Sequence, residues 1–321
     1  MTFLNHIFII NPAAGKGTEG RPLAEIIRDA CEVAGVRAEI YNTTARGDAT
    51  RFVRERIASK PSGETLRFYA CGGDGTLSEV VSGAVNTNAN AEPGALDGVE
   101  VGCVPIGTGN DFVRNFTSPE FFRDITKQLL GDAVEIDCYN CGSGRYGINM
   151  VNIGFDCDVA VKAAEYKRRR FMPKSLAYIA GVISLLRRNE GKRVRVIRED
   201  GSEITREFQL VSAANGGFCG GGFNSAPKSS LTDGFLDISL IDKVSRFDFI
   251  RLVGAYKNGK HLETRLGKRI IEYAHAKSVR FEFAEPVNVC IDGEISRMEQ
   301  LELGIMPRAL SFVIPVGCIK K

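Results

Sequence analysis

The sequence has no long hydrophobic run and little surplus charge. No stretch of the 321 residues approaches the roughly 20 consecutive apolar residues that a transmembrane helix needs. The formal net charge is only +3, so overall charge does not argue for nucleic acid as a partner. The first residues lack the basic region and cleavage site of a signal peptide. We therefore expect a cytoplasmic protein that does not bind nucleic acid.

Histidine and organised cysteine are also scarce. The three histidines, His6, His261 and His275, lie outside every motif, so a histidine base is unsupported and packing or surface roles are expected. The nine cysteines are scattered, mostly in apolar segments, which is typical of reduced, buried thiols in a cytosolic protein. Cys138 and Cys141 form the only CxxC spacing, and without a second pair or a nearby histidine we interpret it as chance.

Strand-like and helix-like segments alternate over the first third of the chain. The predicted strands are 6–11, 36–41, 66–71 and 99–104, and the predicted helices are 21–33, 49–57 and one that begins after Gly75. This βα order predicts a doubly wound parallel sheet, so the first domain, 1–137, should be of the α/β class.

The pattern changes after residue 137. Residues 158–188 are mainly helical in pattern, with a break at Pro173. From 192 onward strands dominate, at 194–197, 208–213, 236–241, 279–283, 287–291 and 310–316, and only 246–256 has a helical pattern. We predict a mainly antiparallel β-sandwich domain over 138–305, with the tail 306–321 returning to the first domain.

Each of the first four predicted strands runs directly into a loop rich in Gly, Thr or Asn. These loops are 11–17, 42–44, 72–76 and 105–111. Because the carboxyl ends of parallel strands share one edge of a sheet, the loops should meet where open α/β proteins bind ligands. Glycines there allow backbone N–H groups to approach phosphate oxygens, and the helix after Gly75 adds partial positive charge. Tight turns would explain any one loop, but explain all four less readily.

Charged residues in these loops indicate a metal. Lys16 would attract phosphate, whereas Asp74 and Asp111 would repel it. Two carboxylates beside bound phosphate imply a divalent cation between them, and Mg²⁺ suits carboxylate and phosphate oxygens. The loops match neither the dinucleotide GxGxxG motif nor Walker A, since Gly17 stands where Walker A has Ser or Thr. The chain therefore has a different scheme for binding phosphate.

The segment 72–76, Gly-Gly-Asp-Gly-Thr, resembles the nucleotide-binding motif of the superfamily that contains diacylglycerol kinases, sphingosine kinases, NAD kinases and phosphofructokinases. Its flanks resemble the diacylglycerol kinase branch, and the matching segments are 11–17, 104–112, 152–156, 215–222, 233–237 and 292–294. The matches follow in order along the whole chain. Departures are small: Ser78 stands where Asn is usual, and Val104 where Leu is common.

This resemblance implies two domains that bind ATP as co-substrate in the cleft between them, together with Mg²⁺. By similarity, the nucleotide-binding residues are Asn11, Gly15, Lys16, Thr43, Gly72, Gly73, Asp74, Gly75, Thr76, Glu79, Gly107, Thr108 and Asn110. Asp74 and Asp111 would join a water-mediated Mg²⁺ network. Asp233, with the carbonyls of Ser230 and Phe235, resembles the ligand set of a structural Mg²⁺ in the second domain.

Asp292 matches the proposed catalytic base of the family, with Glu294 near it. An alcohol needs a carboxylate within hydrogen-bond reach to accept its proton during phosphoryl transfer. From the residues alone a plain hairpin turn is favoured, since Asp-Gly is a strong hairpin signal, whereas the resemblance favours catalysis. It implies that ATP phosphorylates the hydroxyl of a lipid such as diacylglycerol, giving phosphatidic acid or an analogous lipid phosphate.

A lipid substrate at the membrane surface requires a way to reach it. The cluster of Lys162, Lys167, Arg168, Arg169 and Arg170 precedes a mostly apolar segment, 176–186. A basic, apolar helix can lie on an anionic membrane, although a core helix with charged ends explains the apolar part slightly better. We expect peripheral membrane association and, from exposed strand edges, a homodimer.

Two alternatives have the same scaffold. An NAD kinase-like enzyme for a small molecule is disfavoured by the Asn-Pro loop and the Asp-Gly-Glu turn. A non-enzymatic regulator that responds to lipid or nucleotide is disfavoured because Asp74, Asp111 and Asp292 are all present.

Overall fold

The computed structural model describes residues 3–14, 21–85, 96–167 and 191–321. The chain divides into two compact units. The first consists of Met1–Ile148, Leu231–Gly234 and Ile305–Lys321, and the second of Asn149–Ser230 and Phe235–Gly304. The C-terminal tail therefore belongs to the first unit.

The first unit begins with alternating strands and helices, which confirms the predicted βα order. The elements are β1 (Phe3–Ile10), α1 (Leu23–Ala34), β2 (Ala38–Asn42), α2 (Asp48–Ala58), β3 (Glu64–Gly72), α3 (Asp74–Ala84) and β4 (Val99–Pro105). Two 3₁₀ turns, 112–115 and 119–123, then lead to α4 (Ile125–Leu129), β5 (Asp132–Asn140) and β6 (Tyr146–Gly147).

The strands of this unit form a parallel sheet in the order β2-β1-β3-β4. The C-terminal end of the last strand, β15 (Glu294–Ile314), adds a further parallel strand beside β4. Ile7 and Ile9 pack with residues of α2 and α3 on one face of the sheet, and Phe8 and Ile10 pack with residues of α1 and α4 on the other. Both faces are covered by helices, as near-continuously apolar parallel strands require.

The second unit is mainly antiparallel. Its elements are β7 (Met150–Gly154), α5 (Phe155–Lys167), β8 (Lys192–Arg198), β9 (Glu203–Ala214), β10 (Phe218–Cys219), β11 (Phe223–Asn224), β12 (Leu236–Asp242), α6 (Arg246–Lys257), a 3₁₀ turn at 261–263, α7 (Gly267–Ile270), β13 (Ile271–Ala276), β14 (Ser278–Ile291) and the N-terminal part of β15. The strand order is β13-β12-β9-β7-β14-β15, every neighbouring pair is antiparallel, and β8 pairs with both β9 and β14.

Helix α6 packs on one face of this sheet. Leu252 of α6 joins Leu210, Ile241 and Ile270 in a buried cluster, and the ring of Phe249 lies 4.5 Å from that of Phe155 in α5. Of the predicted helical region 158–188, the part beyond Lys167 lies outside the described residues, as do Arg168, Arg169 and Arg170. No helix in the described ranges is both long enough and apolar enough to span a membrane.

Candidate active site

Asp74 connects two of the predicted phosphate-binding loops of the first unit. It is the first residue of α3, and its carboxylate accepts the backbone N–H of Asp111 at 2.9 and 3.1 Å and that of Phe112 at 3.2 Å. The loop after β4 is thereby held against the loop after β3. The two aspartates that the sequence predicted as a pair do lie together.

Glycine is required where these loops meet. The backbone N–H groups of Ile106 and Gly107 donate to the carbonyl of Gly72 at 2.9 and 3.1 Å. A Cβ atom on Gly107 would lie 2.5 Å from the Cα of Gly73, and one on Gly109 would lie 3.0 Å from Oδ2 of Asp74. No side chain fits between the two backbones, so any larger residue at position 107 would separate the loops.

The loops after β1 and β2 attach to the same edge of the sheet. Asn11 donates from Nδ2 to Oγ1 of Thr76 at 3.1 Å, and its backbone N–H donates to Cys71 at 2.9 Å. The backbone N–H of Thr43 donates to Ile10 at 2.9 Å. These bonds place the ends of β1, β2, β3 and β4 side by side, as the parallel arrangement predicted.

Other predicted nucleotide-binding residues have local partners. Glu79 accepts from the backbone N–H groups of Gly47 and Ala49 at 2.8 and 3.3 Å, so its carboxylate stabilises the N-terminus of α2. Asn110 has a left-handed conformation, with φ of 52°, and donates to the carbonyl of Gly107 at 2.7 Å. Gly75 lies in the first turn of α3, Thr108 lies in the loop after β4, and Gly15 and Lys16 lie outside the described residues. For all of these, nucleotide contact stays a prediction.

The donor set at the Asp74–Asp111 pair suits Mg²⁺ better than a soft metal. Nε of Arg114 lies 3.3 Å from Oδ1 of Asp111, so that carboxylate already has a cationic neighbour. Among the described residues, no group of three or more His, Cys, Asp or Glu side chains could hold a metal by itself. Mg²⁺ is usually bound by one or two carboxylates together with phosphate oxygens and water, so two aspartates beside a predicted phosphate site fit this ion.

Asp137 is a buried carboxylate that the sequence reasoning missed. It accepts the backbone N–H groups of Gly234 and Arg308 at 2.7 and 2.8 Å, and its own N–H donates to Leu231 at 2.7 Å. Burial raises the pKa of this carboxyl group, and the neighbouring Asp233 adds to the effect. In the sequence, the signal for this buried carboxylate is an acidic residue within the otherwise apolar run 136–139. Asp137 fixes the 231–234 segment inside the first unit.

The residues predicted to bind the structural Mg²⁺ do not all belong to the same unit. Asp233 belongs to the first unit, whereas Ser230 and Phe235 belong to the second. This ligand set therefore stays a prediction.

Asp292 lies in a two-residue hairpin turn between β14 and β15. Asp292 and Gly293 have φ of 46° and 85°, and Ile291 pairs with Glu294 across the turn, as in the hairpins that Asp-Gly favours. Oδ1 of the buried Asp292 accepts the backbone N–H groups of Asn149 and Met150 at 3.1 and 2.8 Å. The hairpin interpretation is therefore correct, and the turn also fixes an inward-facing carboxylate.

Two motifs of the second unit converge on Asn149. Its backbone carbonyl accepts the N–H groups of Asn215 and Gly216, both at 2.8 Å, and its side chain donates to Phe218 at 2.9 Å. Because the Asn149 N–H also donates to Asp292, the Asn-Gly segment and the Asp-Gly turn meet at the start of β7. Glu294 is partly exposed at the first position of β15.

A row of buried polar side chains crosses the second unit. Asn152, Ser212 and Ser239 lie directly opposite one another on β7, β9 and β12. All three are buried, and Asn152 Oδ1, Ser212 Oγ and Ser239 Oγ have no hydrogen-bond partner within the described part of the chain. Such groups normally bind water or a ligand. Their sequence signal was a polar residue within each apolar strand.

The histidines stay outside these sites. His6 is buried, with Nδ1 3.0 Å from the hydroxyl of Tyr69. Its pKa is lowered to about 4, mainly by burial and to a smaller extent by the positive charge of Arg67. His261 is also buried, and burial lowers its pKa to about 4. His275 is exposed. The packing and surface roles predicted for these residues agree with the structure.

Family models match nearly the whole chain. The model described as "Diacylglycerol kinase catalytic domain" matches residues 5–141, and the model described as "YegS C-terminal NAD kinase beta sandwich-like domain" matches residues 149–314. The first match contains the Asp74 and Asp111 loops, and the second contains the Asp292 turn.

Curated relatives and solved structures agree with these matches. The diacylglycerol kinase of Bacillus subtilis (strain 168) is 28% identical over 311 residues, which cover 96% of this chain and 95% of the relative. A protein of Escherichia coli O9:H4 (strain HS), described as a probable lipid kinase, YegS, is 28% identical over 310 residues, with 95% of both chains covered. A crystal structure of a protein assigned as a diacylglycerol kinase from Bacillus anthracis str. Sterne has a TM-score of 0.72 and 23% identity, covers 99% of both chains, and shows the same fold.

Proposed function

Because the chain belongs to the family of diacylglycerol kinases and YegS-type lipid kinases, and is therefore a kinase, we propose that it transfers the γ-phosphoryl group of ATP to the hydroxyl of diacylglycerol. The product is phosphatidic acid. The observation that carries this proposal is the Asp74 bridge, which holds two glycine loops in contact at the carboxyl edge of a parallel sheet.

The glycine loops of the first unit suit a triphosphate. Backbone N–H groups in glycine-rich turns and at the N-terminus of α3 provide donors that phosphate oxygens can approach without steric hindrance. Asp74 and Asp111 would hold Mg²⁺, which neutralises charge on the transferred phosphoryl group when it is bound with the nucleotide. Asn11 and Thr43, at the ends of β1 and β2, would contact the nucleotide along the same edge.

Asp292 is the proposed base. Two backbone N–H groups hold its carboxylate in one orientation, so little ordering is needed when the acceptor hydroxyl arrives. The carboxylate takes the hydroxyl proton as the oxygen attacks the γ-phosphorus, and ADP leaves. Glu294 is the first residue of β15, close to Asp292 in the chain, and would assist Asp292 in the transfer.

Three further assignments belong to this proposal. Asp233, with the carbonyls of Ser230 and Phe235, would bind a structural Mg²⁺. A lipid acceptor places the enzyme at the membrane surface as a peripheral cytoplasmic protein. Strand edges would support a homodimer.

A transfer assay tests the activity and both alternatives. The full chain is incubated with γ-labelled ATP, Mg²⁺ and either NAD, plain phosphatidylcholine vesicles, or such vesicles containing diacylglycerol, a sphingoid base or phosphatidylglycerol. We expect labelled phosphatidic acid from diacylglycerol and none from plain vesicles. Labelled NADP instead would make the chain an NAD kinase. Tight ATP binding without transfer to any lipid would favour the regulator.

A further inference from the structure

Helix α6 of the second unit exposes large apolar side chains to solvent. Phe247 is 81% exposed, Ile250 58% and Val253 38%. The opposite side of the helix is occupied, because Leu252 is only 5% exposed and the ring of Phe249 packs on that of Phe155. An apolar core-facing side explains how α6 is held on the sheet, but it does not explain an apolar outer side.

The outer side chains form a stripe with basic edges. At about 100° per residue, Phe247, Ile250 and Gly254 follow one another along the outward surface of the helix. Arg251 lies beside this stripe, and Lys257 continues it at the C-terminal end of the helix. Both are exposed, and neither forms an ion pair with any described residue. We call Phe247, Ile250, Val253, Arg251 and Lys257 the α6 outer face.

The segment around this face is strongly basic. From Arg246 to Ile270, which covers α6 and α7, seven residues are Lys or Arg and two are Asp or Glu. The formal charge of this segment is +5, compared with +3 for the whole chain. One of the two acids, Asp248, already bonds to the hydroxyl of the N-cap residue Ser245 at 3.0 Å.

These properties together favour one class of surface. A second copy of the chain would bring two strongly basic segments together, and like charges at an interface are unfavourable. Nucleic acid would use the cations but leave Phe247 and Ile250 without an apolar environment. An anionic lipid surface satisfies both, because exposed apolar side chains enter the headgroup boundary while Lys and Arg contact anionic headgroups.

We propose that the α6 outer face docks this protein on anionic membranes, with Phe247 and Ile250 inserted at the headgroup level and Arg251 and Lys257 against anionic headgroups. The proposal rests on the proposed function, since a lipid acceptor gives the enzyme a reason to be at a bilayer. Docking is nevertheless a binding property that can be measured without turnover. None of its residues belongs to the basic cluster 162–170, of which Arg168, Arg169 and Arg170 lie outside the described residues.

Co-sedimentation with vesicles tests the proposal on the full chain. One set of vesicles contains phosphatidylcholine alone, and the other contains phosphatidylcholine with phosphatidylglycerol. We compare wild type with Phe247→Ser/Ile250→Ser and with Arg251→Glu/Lys257→Glu. Val33→Ser is the apolar control, because Val33 is 83% exposed on α1 of the first unit, and Arg28→Glu/Arg37→Glu is the charge control on the same unit.

We expect wild type to bind the anionic vesicles, more weakly at high salt, and each α6 variant to lose about tenfold or more in partitioning. Both control variants should bind like wild type, and all variants should keep the wild-type thermal midpoint. Equal binding by wild type and both α6 variants, or no binding by wild type, would overturn the proposal. So would a change from dimer to monomer in the Phe247→Ser/Ile250→Ser variant without vesicles, which would make the face a protein interface.

Turnover on a short-chain diacylglycerol in detergent micelles separates docking from the proposed function. Variants that lose vesicle binding but keep micellar turnover support both proposals. If the α6 variants lose vesicle binding but the wild type phosphorylates no lipid, docking is supported and the proposed function is rejected. Micellar turnover together with unchanged vesicle binding in both α6 variants supports the proposed function and overturns docking.

Discussion

The carboxylate of Asp74 accepts the backbone N–H of Asp111 with both of its oxygens, at 2.9 and 3.1 Å. One acidic side chain at the start of α3 therefore positions another acid at the end of the loop after β4. This relationship gives Asp74 two separable properties: its acceptor atoms hold the loop, and its negative charge would attract Mg²⁺. Substitutions can remove them one at a time.

Asp74→Asn should keep the fold and lose the activity. The amide oxygen can still accept from Asp111, but the negative charge that would hold Mg²⁺ is gone. Asp74→Ala loses both, and leaving the N–H groups of Asp111 and Phe112 unpaired should lower the free energy of unfolding by about 1–3 kcal/mol. Urea denaturation measures the stability, and calorimetric titration with ATP and Mg²⁺ measures the binding. Equal stability of the two variants would show that the bridge does not hold the loop.

Asp292→Asn should remove turnover with little change in nucleotide affinity or stability. Asn tolerates the positive φ of this turn and can accept from Asn149 and Met150, but it cannot take a proton from the acceptor. We expect kcat to fall by about a hundredfold or more. Asp292→Ala is the comparison, because it should lose stability as well. Substantial turnover by the Asn variant would mean that another group is the base.

The stability of the protein should fall as the pH is lowered through the range in which His261 titrates. Burial lowers the pKa of His261 from its ordinary 6.5 to about 4, so the unfolded chain binds more protons between these values. The contribution of the buried, neutral His261 to the free energy of unfolding is complete above pH 6.5 and is lost as the pH falls toward 4. In His261→Phe, the free energy of unfolding should therefore fall less steeply over this range.

Urea denaturation of both proteins at several pH values measures this difference. Asp156, whose pKa burial raises to about 6, and His6, whose pKa is lowered to about 4, are present in both proteins, so their contributions cancel in the comparison. Parallel stability curves for wild type and His261→Phe would contradict the prediction.

Local patterns predicted the first unit well and the last strands poorly. The apolar runs of β1, β3 and β4 are buried on both faces, so their signal is strong. Strand β13 is largely half-exposed, and its sequence Ile-Glu-Tyr-Ala-His-Ala shows only weak alternation. Strand β15 contains Gly304 and Pro307, which local rules interpret as breaks, although it is continuous from Glu294 to Ile314. Predicted strands at 279–283 and 287–291 are one strand, with a shift of register after Glu282.

The sequence by itself determined which residue types form the candidate site and where they occur along the chain. Glycine loops after parallel strands, aspartates within them and the Asp-Gly turn are local signals, because strand ends and turns depend on neighbouring residues. Only the tertiary structure decided that Asp74 bridges to Asp111, that Asp137 is buried, that Asp292 faces Asn149 and Met150, and that α6 has an apolar outer face. Burial and hydrogen bonding between distant segments arise from packing, and no single segment contains that information.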